Sequence, residues 1–163
     1  GEVIAAWADR YVNLLADNDL ETDHQVVVRN EDHNGLLAEI NANGHYLMAD
    51  EPKSLGGTDF GGTPYDLLVS ALGACTALTL RMYADHKKIS LEEVKVHLTR
   101  AKRHAQDAER LGENSLIEFV HVELELTGDL THQQKERMLE IAHKCPVHKT
   151  LTHGLKINVA SKE

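Results

Sequence analysis

The sequence predicts an α+β protein with mainly antiparallel strands, in the order β-β-β-α-β-β-α-β. Three observations lead to this prediction. Short strand-like runs are separated by Asn-Gly turns, one long apolar helix lies in the middle of the chain, and the helical segments are too few to cover a parallel sheet. Because 163 residues fit one domain with its own hydrophobic core, stability does not require disulfides.

The composition excludes several classes of function. The chain has 17 Lys and Arg against 26 Asp and Glu, which gives a net charge of −9 at pH 7. We expect such a protein to bind neither nucleic acid nor an anionic membrane surface, because both require a basic face. Two cysteines and no apolar leader-like run near the first residue favour the cytoplasm over secretion.

The first residues predict an amphipathic helix and a linker. Apolar side chains from Val3 to Leu15 recur at helical spacing, and Asp17-Asn18-Asp19 interrupts the pattern. We therefore expect residues 1–20 to form this helix and linker, and residues 21–163 to form the main domain. A helix that opens without a start Met or a cap suggests a piece of a longer protein.

Three strands and a glycine-rich loop are predicted next. The strands are Gln25–Arg29, Leu36–Asn41 and His45–Ala49, with turns at Asn34-Gly35 and Asn43-Gly44. Four glycines then occur within seven residues, 56–62, which indicates backbone freedom or the close approach of another chain or a ligand. No Lys-Ser/Thr follows these glycines, which excludes a phosphate-binding loop.

The central helix is predicted to begin at Pro64. Thr63 suits the N-cap, and Asp66 at the third helical position completes a capping box. From Leu67 to Leu80 the helix is apolar nearly all round, which predicts burial on all sides. Since this run is shorter than the roughly 20 residues that span a bilayer, a core helix ending near 86–88 is expected.

The remaining chain predicts strands at residues 94–98 and 120–126, each with one wet face, separated by a charged loop at 101–115. A second helix is expected from Thr131 to Lys144. Pro146 ends it and starts a short helical turn through Thr152. The alternation of Leu155, Ile157 and Val159 predicts a last strand.

The two cysteines differ in their expected surroundings. Cys75 lies inside the apolar helix, where burial raises the pKa of a thiol. It is therefore either an unreactive core residue or a reactive thiol supported by a cation or a strong hydrogen-bond donor from elsewhere. Cys145 lies between a helix end and Pro146, where the amides of a following turn would stabilise a thiolate. A separation of 70 residues neither supports nor forbids their pairing.

Other chemistries have little support. A cluster within eleven residues could be read as metal ligands: His143, Cys145, His148 and His153. No carboxylate or second cysteine completes a known spacing there, so we expect no metal. The sequence also lacks Gly-x-Ser-x-Gly and any distinctive pair of carboxylates, so a hydrolase has no support.

Several motifs together resemble the OsmC/Ohr family over residues 24–160. They are Leu55-Gly56-Gly57, Thr63-Pro64-Tyr65-Asp66-Leu67-Leu68, Ala71-Leu72-Gly73-Ala74-Cys75 and Cys145-Pro146-Val147. The resemblance implies an α+β fold and an intertwined homodimer in which the central helices meet, an approach that the small residues Ala71, Gly73 and Ala74 would suit. It also implies that Cys75 is peroxidatic and Cys145 resolving in the reduction of organic hydroperoxides, with no cofactor.

The resemblance further implies an Arg that activates the thiol and a Glu that holds this Arg. The Glu position, ten residues before the first cysteine, is occupied by Tyr65, with Asp66 beside it. The Arg belongs in the first hairpin, where His33 takes its place and Arg29 lies on the preceding strand. These four residues are the candidates for thiol activation or substrate binding.

The function expected from the resemblance is a cytoplasmic, antioxidant thiol peroxidase of the oxidative stress response. Its partners would be an organic hydroperoxide and a dithiol reductant, such as a dihydrolipoyl carrier. The alternative is a non-catalytic OsmC-like module that binds a small hydrophobic ligand or serves a neighbouring α/β-hydrolase domain, since similar proteins join the two through a segment like Glu2–Trp7.

Overall fold

The computed structural model describes residues 20–104 and 116–161. They belong to two compact units, of which the first ends at Leu67 and the second begins at Leu68. The helix expected before residue 17 and most of the loop expected at 101–115 lie outside the described residues. The division into residues 1–20 and 21–163 therefore stays a prediction.

The first unit contains a three-stranded antiparallel sheet in the order β1-β2-β3. Its strands are β1 (Val26–Asn30), β2 (Ala38–Ala42) and β3 (His45–Ala49). Asn43 and Gly44 join β2 to β3 with φ of 52° and 84°, as expected for Asn-Gly in a two-residue hairpin turn. The strands lie within two residues of their predicted positions.

A buried carboxylate, that of Asp50, organises the loop that follows β3. It is 1% exposed and accepts hydrogen bonds from the Thr58 hydroxyl (2.6 Å) and from the backbone N–H groups of Glu51, Thr58 and Phe60 (2.8, 3.0 and 3.1 Å). The bond from the Thr58 hydroxyl is the largest influence, and together the four bonds outweigh burial and lower the pKa of Asp50 to about 2. The carboxylate thus remains charged inside the loop.

The same loop explains one of the four glycines. A Cβ at Gly57 would lie 1.8 Å from the carbonyl oxygen of Glu51. The close approach that the glycines predict is therefore made, at this position, by the chain's own backbone. No larger residue fits there without moving the loop.

The central helix, α1 (Pro64–Lys87), begins as predicted. The Thr63 N–H donates to the Asp66 carboxylate at 2.9 Å, and the Asp66 N–H donates to the Thr63 hydroxyl at 3.2 Å. These reciprocal bonds form the predicted capping box.

The expectation that α1 is buried on all sides is wrong for the single chain. One face is buried, through Leu72, Gly73, Thr76, Leu80 and Ala84. The opposite side carries exposed apolar residues, among them Leu78 at 64% and Met82 at 71% exposure. The physical reason is that the second unit supplies a sheet for only one face of the helix.

The full length of α1 also changes the comparison with a membrane span. The helix has 24 residues, and within the described residues it is the one helix long and apolar enough to cross a bilayer, by length and composition alone. The run from Leu67 to Leu80 is only the most apolar part of this helix. A core helix of a soluble protein has the same length and composition, so this finding does not by itself imply a membrane.

The second unit packs α1 residues against a long hairpin and two shorter helices. The hairpin consists of β4 (Ser90–His104) and β5 (Leu116–Asp129), and the helices are α2 (His132–Ala142) and α3 (Pro146–His153). Their buried core is formed by Leu80, Ala84, Leu91, Met138 and Ile141. The antiparallel sheets and the long central helix confirm the predicted α+β class, and both predicted strands of the hairpin prove longer than expected.

The predicted last strand is not formed. Residues 154–161 are described and contain no strand, and Leu155, Ile157 and Val159 are 68%, 81% and 89% exposed. A strand needs a neighbouring strand with which to exchange hydrogen bonds. Within the described part of this chain, the segment has none.

Candidate functional site

The second unit brings the two cysteines into contact although 70 residues separate them. Cys75 lies in the middle of α1 and is partly exposed, whereas Cys145 is the N-cap of α3 and is 0% exposed. Both are free thiols, and they lie close enough that each alters the pKa of the other. Their contact is the central feature of the candidate site.

Three further donors surround the Cys145 sulfur. They are the backbone N–H groups of Val147 and His148, in the first turn of α3, and the side-chain hydroxyl of Thr76. Thr76 is 3% exposed, so its hydroxyl is almost completely shielded from water. A helix N-terminus directs unpaired N–H groups at its N-cap, which explains the amide contacts.

The Cys75 sulfur has fewer stabilising contacts. Burial is the largest influence and raises the pKa of Cys75, and the hydrogen bond with Cys145 raises it further. The Val147 N–H acts in the opposite direction without compensating, and the Thr79 hydroxyl donates to the backbone carbonyl of Cys75 at 2.7 Å. Cys75 is therefore the protonated partner, in agreement with the effect expected of its apolar helix.

At Cys145 the influences combine to lower the pKa of the thiol. Burial is again the largest single influence and would raise the pKa of Cys145, but the bond from the Cys75 thiol and the donors named above together lower it. Because the two thiols are coupled, the first proton to leave belongs to the pair. Its negative charge resides mainly on Cys145.

A cleft lies next to Thr76 and His148, and neither cysteine is among its lining residues. Its volume is about 190 Å³, and its lining is mostly apolar side chains of α1, β5 and α2, together with Thr76, His143 and His148. The two imidazole rings meet edge to face with centroids 5.2 Å apart. The cleft thus offers an apolar space that reaches a residue bonded to Cys145.

The other predicted site residues lie in the first unit. The Arg29 guanidinium lies 2.7 Å from the carboxylate of Glu39, its cross-strand neighbour, and 3.8 Å from that of Glu31. His33 is largely exposed and lies 3.4 Å from Glu31. An Arg–Glu pair thus exists, and Glu39 supplies its carboxylate.

The remaining two candidates are at the start of α1. The carboxylate of Asp66 accepts hydrogen bonds from the N–H and hydroxyl of Thr63, as part of the capping box. Tyr65 is 46% exposed.

The cluster of histidines around Cys145 does not form a metal site in the described part of the chain, where no three His, Cys, Asp or Glu side chains come together in a suitable arrangement. The His153 ring instead bonds with the backbone carbonyl of Lys149 at 2.7 Å.

Sequence reasoning did not find Thr76 or Glu39. Thr76 follows Cys75 directly, and a polar residue in an otherwise apolar helix was the available signal. For Glu39, the signal was an opposite charge on the next strand, but pairing it with Arg29 requires the register of the hairpin.

Comparison with solved structures shows what this fold is similar to. An OsmC-like protein from Mycoplasma pneumoniae matches with a TM-score of 0.63 and 18% identity, over 82% of this chain and 89% of that one. An organic hydroperoxide resistance protein OsmC from Legionella pneumophila matches with a TM-score of 0.57 and 22% identity, over 80% and 91%. An organic hydroperoxide resistance protein from Elizabethkingia anophelis matches with a TM-score of 0.56 and 20% identity, over 80% of this chain and 91% of that one. None of the curated proteins matches the chain.

The fold and the site together define an α+β protein with a dithiol between a long central helix and the N-terminus of a short one. The sequence matches the family described as OsmC-like protein over residues 56–160, which is more than half of the chain. The chain belongs to the OsmC-like family. The predicted resemblance is thereby confirmed, and the neighbours named for hydroperoxide resistance agree with it.

Proposed function

We propose that this protein is a thiol-dependent peroxidase that reduces organic hydroperoxides through a Cys75/Cys145 dithiol–disulfide cycle. The observation that carries the proposal is the direct contact between two free thiols that are 70 residues apart in the sequence. The names of the Legionella and Elizabethkingia neighbours support the same substrate class. The proposed location is the cytoplasm, where the thiols would be kept reduced.

The proposed cycle uses the different exposure of the two sulfurs. Cys75, which is partly exposed, would attack the O–O bond as a thiolate, become a sulfenic acid and release an alcohol. The Cys145 sulfur, already in contact, would displace the hydroxyl of the sulfenic acid to form a disulfide. A dithiol such as a dihydrolipoyl carrier would then reduce the disulfide.

Arg29 is retained as the proposed activating cation on the family resemblance alone, with Glu39 as the carboxylate that holds it. His33, Tyr65 and Asp66 remain proposed contributors on the same basis. Their roles can be ranked by the hydroperoxide dependence of the corresponding alanine variants.

The first test of this function uses the unmodified protein. With tert-butyl hydroperoxide and dithiothreitol, we expect continuous peroxide consumption in proportion to protein concentration. Without dithiothreitol, one equivalent of peroxide should lower the intact mass by two hydrogens, because a disulfide forms. A gain of oxygen without that loss would show that Cys145 does not resolve, and no consumption would refute the peroxidase.

We also propose that the protein acts as a homodimer. Leu68, Ala71, Cys75, Leu78 and Met82 follow one another on α1 at intervals of three and four residues, the spacing with which two helices pack along a common seam. Cys75 is partly exposed and the other four are exposed. A contiguous apolar stripe of this kind is typical of an interface, and a second α1 would cover its leucine, alanine and methionine side chains.

Gly73 was expected at the contact between the two central helices, but it faces β4 of its own chain. Its missing side chain accommodates Leu98 of β4, since a Cβ would lie 2.7 Å from a Leu98 methyl carbon. Of the small residues expected at the helix–helix contact, Ala71 is the one on the stripe.

The dimer predicts the effect of a charge on the stripe. A Leu78→Glu, Met82→Glu double variant should elute as a monomer, because the two helix faces would otherwise bury four carboxylates without partners. Light scattering coupled to gel filtration measures the mass. Leu55→Glu is the matched control, since Leu55 is 66% exposed and lies off the stripe. A monomeric unmodified protein, or a dimeric double variant, would contradict the seam.

The second candidate function is a non-catalytic module that binds a small hydrophobic ligand or serves a neighbouring hydrolase domain. The apolar cleft of about 190 Å³ and the raised pKa of Cys75 favour it. Titration with a short alkyl alcohol distinguishes the two: this module would bind the alcohol yet leave hydroperoxide unconsumed.

A further inference from the structure

The segment that follows α3, residues 155–159, has the pattern of a strand but no strand beside it. Leu155, Ile157 and Val159 alternate with Lys156 and Asn158, and the three apolar side chains are 68%, 81% and 89% exposed. The segment exchanges no backbone hydrogen bond with any residue that the structure describes. Its unpaired backbone and exposed apolar side chains indicate a contact that the single chain does not supply.

The three-stranded sheet of the first unit has an exposed apolar face. Four apolar side chains, one or two from each strand, share this face: Val26, Val28, Ile40 and Leu47. Three of them are about half exposed, at 51% for Val26, 58% for Val28 and 48% for Leu47. The opposite face carries Glu39 and Asn41, each only 8% exposed. A sheet whose polar face is shielded while its apolar face meets water is expected to have a partner on the apolar side.

The outer edge of the same sheet, along β1, is open as well. The Asn43 N–H donates to the Gln25 carbonyl at 2.9 Å, and hydrogen-bonded pairs alternate with non-bonded pairs along an antiparallel ladder. The backbone groups of Val26 and Val28 therefore point away from β2. Among the described residues, these outward groups have no backbone partner. An edge of this kind is able to pair with another strand.

The 155–159 segment and the sheet match on both faces. Successive side chains of a strand point to opposite faces, so Leu155, Ile157 and Val159 would all lie on one face and continue the apolar face of the sheet. Lys156 and Asn158 would then lie on the polar face. A register shifted by one residue would reverse both assignments, so the pattern favours one choice of faces.

We propose that the 155–159 segment of one protomer pairs as an added strand with the β1 edge of a second copy of this chain. The edge along β3 is less suitable, because a bridge between Ala49 and Gly62 already occupies part of it. Each protomer has one unpaired segment and one unpaired edge, so two reciprocal additions related by a two-fold axis satisfy both. This inference rests on the homodimer proposed above and adds a second contact to it.

Hydrogen exchange of the full chain, followed by nuclear magnetic resonance, tests the added strand directly. In a single chain the amides of residues 155–159 should exchange as fast as those of an unstructured peptide. In the paired form every second amide of the segment, together with those of Val26 and Val28, donates across the new ladder. Their exchange should be slowed about 100-fold. Dilution to a concentration at which light scattering shows monomers should abolish the protection at both places together.

A matched pair of variants separates strand pairing from a general effect of charge. Ile157→Asp places a carboxylate on the apolar face of the added strand and should abolish the protection. Asn158→Asp adds the same charge on the opposite face and should retain it. Both side chains are exposed in the single chain, so both variants should fold. Retained protection in Ile157→Asp, or an equal loss in the two variants, would contradict the pairing.

Cross-linking identifies the chain that supplies the strand. A tagged Val26→Cys or Val28→Cys protein is co-expressed with an untagged Ile157→Cys protein, purified through the tag and oxidised. One of the two combinations should give a disulfide between the introduced cysteines, located by peptide mass spectrometry, because paired strand residues have Cα atoms about 5.5 Å apart. Leu47→Cys is the control, since Leu47 lies on the same face but two strands from the β1 edge.

The outcomes separate this inference from the homodimer on which it rests. A dimer whose 155–159 amides exchange without protection would overturn the added strand and leave the homodimer standing. The same holds if the disulfide forms only when both cysteines are introduced into one chain, because the segment would then pair with its own sheet. A monomeric unmodified protein would overturn both proposals.

Discussion

Cys75→Ser should reduce hydroperoxide consumption to the uncatalysed background, a loss of about 10⁴-fold or more, as removal of an attacking nucleophile does. The reason is that serine keeps the size of the side chain while its hydroxyl does not ionise near neutral pH. Steady-state consumption of tert-butyl hydroperoxide with dithiothreitol measures the effect. Since Cys75 is on the surface stripe of α1 and partly exposed, we expect the fold to be retained.

The Cys145→Ser variant separates the oxidation of Cys75 from the formation of the disulfide. It should still trap one equivalent of oxidant on Cys75 as sulfenic acid and should not lose two hydrogens on oxidation. Equal activity of Cys75→Ser and the unmodified protein would show that Cys75 is not peroxidatic. In that case the contact between the thiols would serve the fold and not the chemistry.

Asp50→Asn should destabilise the protein by about 3 kcal/mol, because hydrogen bonds to a charged group contribute roughly 1.5–3 kcal/mol each and the new amide NH₂ would face N–H donors. Urea unfolding of the full chain at neutral pH measures the free energy of unfolding. Asp59→Asn is the matched control, since Asp59 is exposed on the same loop and Asn tolerates its φ of 58°.

The same variant isolates an acid-sensitive part of the stability. The pKa of Asp50 falls from an ordinary 3.8 to about 2 on folding, so the carboxylate stabilises the fold fully above about pH 4. This contribution is lost as the pH falls from about 4 to about 2. The stabilities of Asp50→Asn and the unmodified protein should therefore converge in acid, and a constant difference between them would contradict the assignment.

Local rules were sufficient for much of the fold. The Asn43-Gly44 turn follows from two neighbouring residues, and the start of α1 follows from Thr63 and Asp66, which are three residues apart. Such signals involve residues at most a few positions apart and depend little on the rest of the molecule. This is why they predict the positions of elements within a few residues.

Features that depend on a neighbour were not predictable in the same way. The apolar pattern of α1 predicted burial but could not indicate what covers each face, and the second unit covers one. The alternation of Leu155, Ile157 and Val159 predicted a strand, but a strand forms only where another strand is available. Apolar periodicity reports a preference for contact and leaves the partner undefined.

The candidate site was predictable in its residues and not in its electrostatics. The spacing of Cys75 and Cys145 left their contact open, and the family motifs singled them out. That Cys145 has more donors than Cys75 depends on Thr76 and on the amides of Val147 and His148, which meet the sulfur only after α1 and α3 have come together. Backbone N–H groups have no signature in an amino-acid sequence, since every residue except proline has one.

The amide of Val147 acts on both sulfurs, since it lowers the pKa of each thiol. A proton so placed is deshielded by whichever sulfur carries the charge, and it loses that influence once a disulfide has formed. Its nuclear magnetic resonance frequency is therefore a readout of the pair that requires neither a mutation nor a chemical label. We expect this single backbone position to distinguish the thiol, thiolate and disulfide forms in solution.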